Sequence, residues 1–238
     1  MSAIKIINLK KKYKEGKEIL HSLNFEIQKG EFVGILGSNG AGKTTTINCI
    51  CGITKPSEGE ISIHGHDVVA DYKEARKCVG LSPQEWNVEI FQTVEEILYY
   101  QAGFFGVLGE ERKRRIEEML NIFDLQEHRK KKFQSLSGGL KRRAVVAKAL
   151  IHNPKVLILD EPTAGVDVET RKAIWEYIKK IHQEGKTILL TSHYLEEIEE
   201  LCDRVIMIKD GNIVIDRSMK DIKAEGKLEA LYLEITKD

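Results

Sequence analysis

The sequence contains few cysteines, and their spacing matches neither a metal site nor a disulfide framework. Only four of the 238 residues are cysteine, at Cys49, Cys51, Cys78 and Cys202. They form no CxxC pair and have no ligand-like spacing from a histidine. The patterns typical of structural zinc sites and of small disulfide-rich secreted domains are therefore absent. We expect free thiols in a protein that is kept in the cytosol.

The sequence also lacks a long hydrophobic run. No stretch approaches the roughly 20 apolar residues that a helix needs to span a bilayer. The first residues, Met1 to Lys5, have none of the apolar character of a signal peptide. We therefore expect no direct membrane insertion, so that any association with a membrane comes through a partner.

Neither sign of charge is in excess. Lys and Arg total 37, as do Asp and Glu, so the formal net charge is +0. Nucleic-acid binding usually needs an excess of positive charge, because the neutralisation of phosphates supplies much of its affinity. We therefore predict no nucleic-acid partner. The basic runs at 112–115, 129–132 and 141–143 are interpreted as solvated helix faces or loops.

The hydrophobic residues that are present predict an α/β fold. They make up 42% of the chain, which is enough for one sizeable domain. After Ser137, predicted helices alternate with the largely apolar strands Val156–Leu159, Thr187–Thr191 and Val205–Ile208. Strands without polar alternation are buried on both faces, as in a mostly parallel sheet covered by helices.

Three regions depart from this alternation. The first third of the chain is rich in strands, namely Ile4–Leu9, Leu23–Ile27 and Phe32–Leu36, and part of it is expected to form an N-terminal antiparallel β subdomain. Residues Thr93–Leu125 have a helical pattern without strands, which predicts an inserted helical subdomain. At the end of the chain, Leu228–Thr236 is predicted to be a short terminal strand.

A glycine-rich loop predicts a phosphate site. Residues 37–44 read GSNGAGKT and match G-x-x-x-x-G-K-[ST], between a predicted strand and the predicted helix Lys43–Ile50. The glycines allow successive N–H groups to point at phosphate oxygens, and the helix presents its positive N-terminal end. Lys43 is placed to reach the β- and γ-phosphates, and the Thr44 hydroxyl to ligate Mg²⁺. The loop predicts a P-loop NTPase core.

Two carboxylates end a predicted buried strand. Asp160 and Glu161 follow Val156–Leu159 directly. Ligands of open α/β sheets bind beyond the carboxyl ends of the strands. One carboxylate would hold Mg²⁺ and the other would polarise the attacking water.

A second anion-binding pattern precedes another helix. Ser137, Gly138 and Gly139 lie directly before a predicted helix that extends to His152. A hydroxyl, accessible N–H groups and a helix N-terminus again suit a phosphate. An ordinary kinase is not expected to have two such cradles around one acidic strand.

These segments, in this order, resemble the ATPases of ABC transporters over essentially the whole chain. Leu136–Leu140 corresponds to the signature loop of the family and Gln84 to its Q-loop. Residues 164–167 correspond to the D-loop, and His193 to the switch histidine. Tyr13 lies where the family places an aromatic ring against adenine.

The resemblance implies a role for each matching residue. Glu161 would be the general base or the carboxylate that orients water, and His193 would contact the γ-phosphate. Gln84 would touch Mg²⁺ or the attacking water, and Mg²⁺ would be held by Thr44, Gln84 and Asp160. ATP would be bound by residues of the adenine contact, both phosphate loops and the D-loop: Tyr13, Gly37, Ser38, Asn39, Gly40, Ala41, Gly42, Lys43, Thr44, Thr45, Ser137, Gly138, Gly139 and Asp167.

The resemblance also implies partners. The family dimerises head-to-tail, with ATP held between the P-loop of one subunit and the signature of the other, so a second ATPase subunit is expected. One complete set of motifs allows a homodimer. Integral membrane permease subunits would hold the protein peripherally at the cytoplasmic face of the cell membrane. The expected ATPase domain covers 1–238, with a core at 1–84 and 137–238 and a helical subdomain at 85–136.

One departure and one subclass resemblance refine this expectation. The fifth signature position, commonly Gln, is Leu140, so a side-chain amide contact is expected to be lost there. Residues 137–143, 162–167 and 191–197 resemble the subclass that partners ABC-2-type exporter permeases. The resemblance therefore implies an exporter ATPase.

Three alternatives stay open. An ABC importer ATPase would use the same chemistry, although importers often add a regulatory domain and this chain stops at Asp238. An ABC ATPase acting on ribosomes normally has two cassettes, whereas a single P-loop is found here. A DNA-repair ATPase would need a long heptad coiled coil between P-loop and signature, and no sustained heptads occur there.

Overall fold

The computed structural model describes residues 2–13, 16–226 and 228–236. Its strands form a four-stranded antiparallel sheet in the order β2-β1-β4-β5 and a six-stranded sheet in the order β10-β9-β3-β8-β7-β6. In chain order the strands are β1 (Ser2–Lys12), β2 (Glu18–Gln28), β3 (Phe32–Leu36), β4 (Glu58–Ile63), β5 (His66–Asp67), β6 (Val79–Ser82), β7 (Val156–Asp160), β8 (Thr187–Thr191), β9 (Arg204–Lys209) and β10 (Asn212–Ser218).

The six-stranded sheet is parallel except at one edge. Strands β6, β7, β8, β3 and β9 pair in parallel, and β10 returns antiparallel to β9. Asp210 and Gly211 make the return, both with positive φ (46° and 72°). Two consecutive residues in that region are what a tight hairpin between twisted strands requires. The predicted mostly parallel sheet is confirmed.

Each face of this sheet is covered by its own hydrophobic core, which explains the unbroken apolar runs. Side chains alternate across a strand, so neighbouring residues enter different cores. In β3, Phe32 and Leu36 enter the larger core, which also contains residues from the later helices. Val33 and Ile35 enter the smaller core, which the four-stranded sheet completes.

Nine helices are present in the described residues. They are α1 (Lys43–Ile50), α2 (Tyr72–Lys77), α3 (Val94–Phe104), α4 (Gly109–Ile122), α5 (Gly138–Leu150), α6 (Val168–Gln183), α7 (Leu195–Leu201), α8 (Met219–Glu225) and α9 (Leu228–Thr236). Between β6 and β7 the chain forms only α3, α4, two short 3-10 turns and α5. The helical character of the insertion is confirmed, and the domain boundaries at 84/85 and 136/137 stay predictions. None of the helices in the part of the chain described here is long and apolar enough to cross a membrane.

The predicted terminal strand is wrong, because Leu228–Thr236 forms helix α9. Leu228 is buried in the larger core, and Leu231 and Tyr232 pack against it. Spacings of three and four residues place these side chains on one face of a helix. The contacts with the larger core therefore follow the helical period.

Two arginines of the predicted solvated basic runs are buried instead. Arg115 is 6% exposed, and its Nε and Nη2 donate to the carbonyl oxygens of Ile151 (3.0 Å) and Leu150 (2.6 Å) at the end of α5. Arg142 is 2% exposed. Arginine brings five donors in a planar fork, and carbonyl oxygens accept several of them at both positions. The expectation of solvated faces is wrong for these two residues.

Candidate active site

The loop between β3 and α1 requires glycine for steric reasons. A Cβ at Gly37 would lie 2.4 Å from the carbonyl oxygen of Ile208. Gly42 has φ +110°, and a Cβ there would lie 2.5 Å from Leu20 Cδ2. Gly42 is also the N-cap of α1 and brings no side chain to cover the first N–H groups of the helix. Those N–H groups remain free to bind an anion.

Lys43 lies inside this loop. It is 6% exposed, and its Nζ donates to the carbonyl oxygens of Gly37 (2.7 Å) and Ser38 (3.2 Å). Burial lowers the pKa of Lys43, and the carboxylates of Glu161 and Asp160 partly oppose this effect. The loop therefore surrounds a cation that phosphate oxygens could pair with.

Two carboxylates lie at the carboxyl end of β7, which is the same end of the parallel sheet as the loop between β3 and α1. Asp160 is 4% exposed, and its Oδ1 accepts a hydrogen bond from Thr191 Oγ1 at 2.5 Å. Glu161 follows in a left-handed backbone conformation, with φ 51°. Its N–H donates to both the carbonyl oxygen and the Oγ1 of Thr191, each at 3.1 Å. Thr191, at the end of the neighbouring strand, thus holds both acidic residues in place.

The Glu161 carboxylate is held between two predicted catalytic residues. Gln84 Nε2 donates to Glu161 Oε2 at 2.9 Å, and His193 Nε2 lies 2.5 Å from Glu161 Oε1. The three residues follow β6, β7 and β8, which are neighbouring parallel strands. A buried carboxylate with fixed orientation is suited to orient or deprotonate a water molecule.

A cavity of about 320 Å³ unites these groups. It is lined by most of the predicted site residues and by two that the sequence did not suggest: Tyr13, Ser38, Asn39, Gly40, Gly42, Lys43, Thr44, Thr45, Gln84, Glu161 and His193, with Lys17 and Ile19 in addition. Lys17 is near Tyr13 because the Tyr13 N–H donates to its carbonyl oxygen at 3.1 Å. A turn between two predicted strands is the only sequence signal that could have suggested Lys17 and Ile19.

Seven predicted residues do not line this cavity. Gly37, Ala41 and Asp160 belong to the same loop and strand end, behind its surface. Ser137 caps α5, its Oγ accepting from the Leu140 N–H at 3.4 Å. Gly138 and Gly139 are the first residues of α5. Asp167 caps α6. In this one chain the structure therefore brings the signature residues and Asp167 to helix N-termini instead of to the cavity.

The Asp167 cap is made by one neighbour. Its carboxylate accepts from the Thr170 N–H at 2.9 Å and from the Thr170 hydroxyl at 2.7 Å. These hydrogen bonds lower the pKa of Asp167. Leu140, at the altered signature position, packs against the larger core.

A buried carboxylate that sequence reasoning missed lies behind the site. Glu197 is 0% exposed. Its Oε1 accepts from Thr163 Oγ1 (2.9 Å) and Trp175 Nε1 (2.8 Å), and its Oε2 accepts from Ser192 Oγ at 2.5 Å. Burial raises the pKa of Glu197, against the effect of the three donors. Ser192 directly precedes His193, so this cluster supports the segment that carries the histidine.

The donor set around the cavity suits Mg²⁺. The described residues contain no group of three or more His, Cys, Asp or Glu side chains that could enclose a metal. Mg²⁺ does not need such a cage, because it usually takes one or two protein oxygens together with water and the phosphates of a substrate. The Thr44 hydroxyl, the Gln84 amide and the Asp160 carboxylate are hard oxygen donors of that kind.

Comparison with known proteins agrees with this geometry. A family model described as ABC transporter matches residues 20–164, more than half of the chain. The chain is 40% identical over 227 residues to the Nod factor export ATP-binding protein I of Burkholderia thailandensis, covering 95% of this chain and 74% of that protein. It is 38% identical over 215 residues to the linearmycin resistance ATP-binding protein LnrL of Bacillus subtilis, covering 90% of this chain and 69% of that protein.

A solved structure extends the likeness to the whole fold. It is a dimeric ATP-binding cassette in a post-hydrolysis state, bound to ADP and Pi. The superposition has a TM-score of 0.82 at 31% identity and covers 91% of this chain and 98% of that one. The predicted α/β fold is thereby confirmed. The chain belongs to the ABC transporter family, and it is an ATPase of that family.

Proposed function

We propose that this chain is the ATP-hydrolysing subunit of an ABC exporter of the ABC-2 type, driven by head-to-tail closure of two copies on ATP. The observation that carries the catalytic part is the Glu161 carboxylate, held by Gln84 and His193 in the cavity that also contains Lys43. The export part rests on relatives whose names refer to Nod factor export and linearmycin resistance.

In the proposed reaction, the residues position charge and water. The Gly37–Gly42 loop and Lys43 bind the β- and γ-phosphates of ATP, and Tyr13 contacts the adenine. Glu161 orients the attacking water and accepts its proton, while Gln84 and His193 keep the carboxylate in place. Phosphoryl transfer needs little more from a protein than positioning and stabilisation of the charge.

Thr44, Asp160 and Gln84 would hold Mg²⁺ in this site. Mg²⁺ would supply neutralisation of the charge that develops on the phosphate oxygens. The hydrogen bond from Thr191 fixes the Asp160 carboxylate for that purpose.

A second copy would complete each ATP site. Ser137, Gly138 and Gly139 lie at the N-terminus of α5 and outside the cavity of their own chain. Their N–H groups and the positive end of α5 suit the γ-phosphate of ATP bound to the other copy. Asp167, exposed at the start of α6, would lie at the same interface. Loss of the γ-phosphate would then remove the contact between the two copies, and the dimer would open again.

A groove on another face would receive the membrane permease. It has a volume of about 760 Å³, and its lining combines the exposed rings of Tyr72 and Phe104 with four cations: Lys73, Arg76, Lys77 and Lys148. Pro83, beside Gln84, lines the same groove, which would link a bound permease segment to the ATP site. Such a permease would hold the protein peripherally at the cytoplasmic face of the cell membrane.

Glu161→Gln tests the catalytic role. The variant should bind ATP but lose about 100-fold or more in turnover, because the amide accepts no proton. It should also dimerise on addition of MgATP, which light scattering after size exclusion would detect. Glu60→Gln, at an exposed position of β4, is the matched control. Normal steady-state hydrolysis by Glu161→Gln would contradict the role.

Purification from solubilised membranes tests the export role. A tagged chain should retain a multi-helix permease without a fused cassette, and the pair, in inside-out vesicles, should accumulate the transported compound on ATP addition. A permease that works only with an external substrate-binding protein would contradict export.

A further inference from the structure

A buried arginine of helix α5 donates hydrogen bonds to the backbone of the segment that contains Gln84. The Nη1 of Arg142 donates to the carbonyl oxygen of Pro83 at 3.0 Å, and its Nη2 donates to that of Gln84 at 3.2 Å. The guanidinium group lies 4.6 Å from the ring centre of Trp86. Further along α5, Lys148 Nζ donates to the carbonyl oxygen of Asn87 at 2.5 Å. The helix therefore holds residues 83–87 at two places.

The energetic cost of this arrangement suggests a purpose beyond packing. Arg142 is only 2% exposed, and its Nε has no hydrogen-bond partner. Burial lowers the pKa of Arg142, while Asp160, Glu197 and Glu161 oppose that effect. An apolar side chain of similar size would fill the space without burying a charge. It could not, however, donate two hydrogen bonds to the backbone at Pro83 and Gln84.

The contact leads directly to the reacting region. Gln84, whose carbonyl Arg142 holds, donates from its Nε2 to Glu161 Oε2 at 2.9 Å. At the other side, Arg142 lies on the second turn of α5, whose first residues follow Ser137. One side chain thus connects the signature end of α5 with the amide that contacts the Glu161 carboxylate.

We propose that Arg142 is a positioning residue that sets the place of the Gln84 amide against Glu161 and makes α5 and the Gln84 segment move as one unit. The inference rests on the proposed roles of Glu161 and Gln84. In the proposed dimer, Ser137 would contact ATP of the other copy and Gln84 would serve its own. Arg142 would then link the two ATP sites through a single rigid contact.

The test is a double-mutant cycle on the full-length chain, read out as steady-state ATP hydrolysis. Arg142→Met should lower kcat about tenfold, because a small displacement of a catalytic group has a large effect on rate. The KM for ATP should stay within about twofold, since Arg142 does not touch the cavity. In a Gln84→Ala background, Arg142→Met should lower kcat by no more than about twofold, because residues acting as a unit are not additive.

Arg143→Met is the matched control. Arg143 is the next residue of α5, and its guanidinium contacts Asp124 and the Tyr177 ring instead. We expect its kcat to stay close to that of the unmodified chain. Equal losses in Arg142→Met and Arg143→Met would overturn the inference.

Two further outcomes are decisive. If Arg142→Met and Gln84→Ala lower kcat multiplicatively, Arg142 does not act through Gln84 and this inference alone fails. Unchanged kcat in Gln84→Ala would overturn the proposed role of Gln84 as well. Should Arg142→Met fail to fold, Arg142→Gln, which keeps an amide donor, enters the same cycle and is judged by the same non-additivity.

Discussion

Removal of the Glu197 carboxylate should strongly destabilise the chain. Three donors, from Thr163, Trp175 and Ser192, lose their acceptor in Glu197→Ala. Each buried donor left unpaired costs about 1–3 kcal/mol. The alanine also relieves the cost of burying a carboxylate, so we take the lower end of each range and expect a loss of about 3 kcal/mol in the free energy of unfolding.

Urea denaturation measures this loss. Unfolding would be followed by far-UV circular dichroism and by tryptophan fluorescence. Trp175 reports directly on the mutated site, because its Nε1 donates to Glu197. Glu196→Ala is the control, since Glu196 is exposed in the same first turn of α7. It should change stability by no more than about 0.5 kcal/mol. A loss below about 1 kcal/mol in Glu197→Ala would refute the reasoning that the three donors depend on this carboxylate.

Further predictions concern pH, nucleotide binding and a buried thiol. Because burial raises the pKa of Glu197 above its ordinary 4.5, its contribution to stability is complete below that value and is lost as pH rises through the raised pKa. Glu197→Gln, which does not titrate, should therefore gain stability relative to the unmodified chain as pH rises, and a constant difference in urea midpoint between pH 4 and pH 8 would contradict this. Lys43→Ala should weaken the binding of a fluorescent ATP analogue about tenfold or more, since it removes the buried cation of the loop; unchanged affinity would count against the phosphate role. Burial raises the pKa of Cys49 to about 11, so this buried thiol should react slowly with a disulfide reagent at neutral pH and rapidly in urea. Fast labelling of Cys49 in the folded chain would show that this thiol is accessible.

The position of the Gly37–Thr44 loop could be predicted from the sequence because its pattern is local. The eight residues of GSNGAGKT contain the glycine-rich turns, the cation and the first two residues of α1, and the preceding apolar strand places them at the carboxyl end of the parallel sheet. The acidic pair was predictable for a similar reason, since Asp160 and Glu161 directly follow an unbroken run of buried residues. Spacing along the chain was therefore enough to bring these groups together.

Glu197 and Arg142 could not be predicted in this way, because their partners are far away in sequence. Glu197 meets Thr163 across 34 positions, and Arg142 meets Gln84 across 58. In the sequence, Glu197 is one of several glutamates in an amphipathic helix and Arg142 one of three consecutive basic residues. Only the packing of α5 and α7 shows that these two charges are buried.

The prediction of a strand for the terminal segment was wrong for a different reason. In Leu228–Thr236, strand and helix periods compete over nine residues, and a short apolar run does not decide between them. Packing against the larger core favours the helix, because that core contacts side chains from one helical face.

The left-handed backbone at Glu161 has a consequence for engineering this chain. Residues other than glycine lose about 1 kcal/mol or more in such a conformation, whereas glycine adopts it freely. Substitution of Glu161 by glycine would release that strain and at the same time delete the carboxylate. With Glu161 in its proposed catalytic role, a screen for heat-resistant variants would tend to favour loss of turnover at this position, so thermal tolerance and activity would oppose each other there.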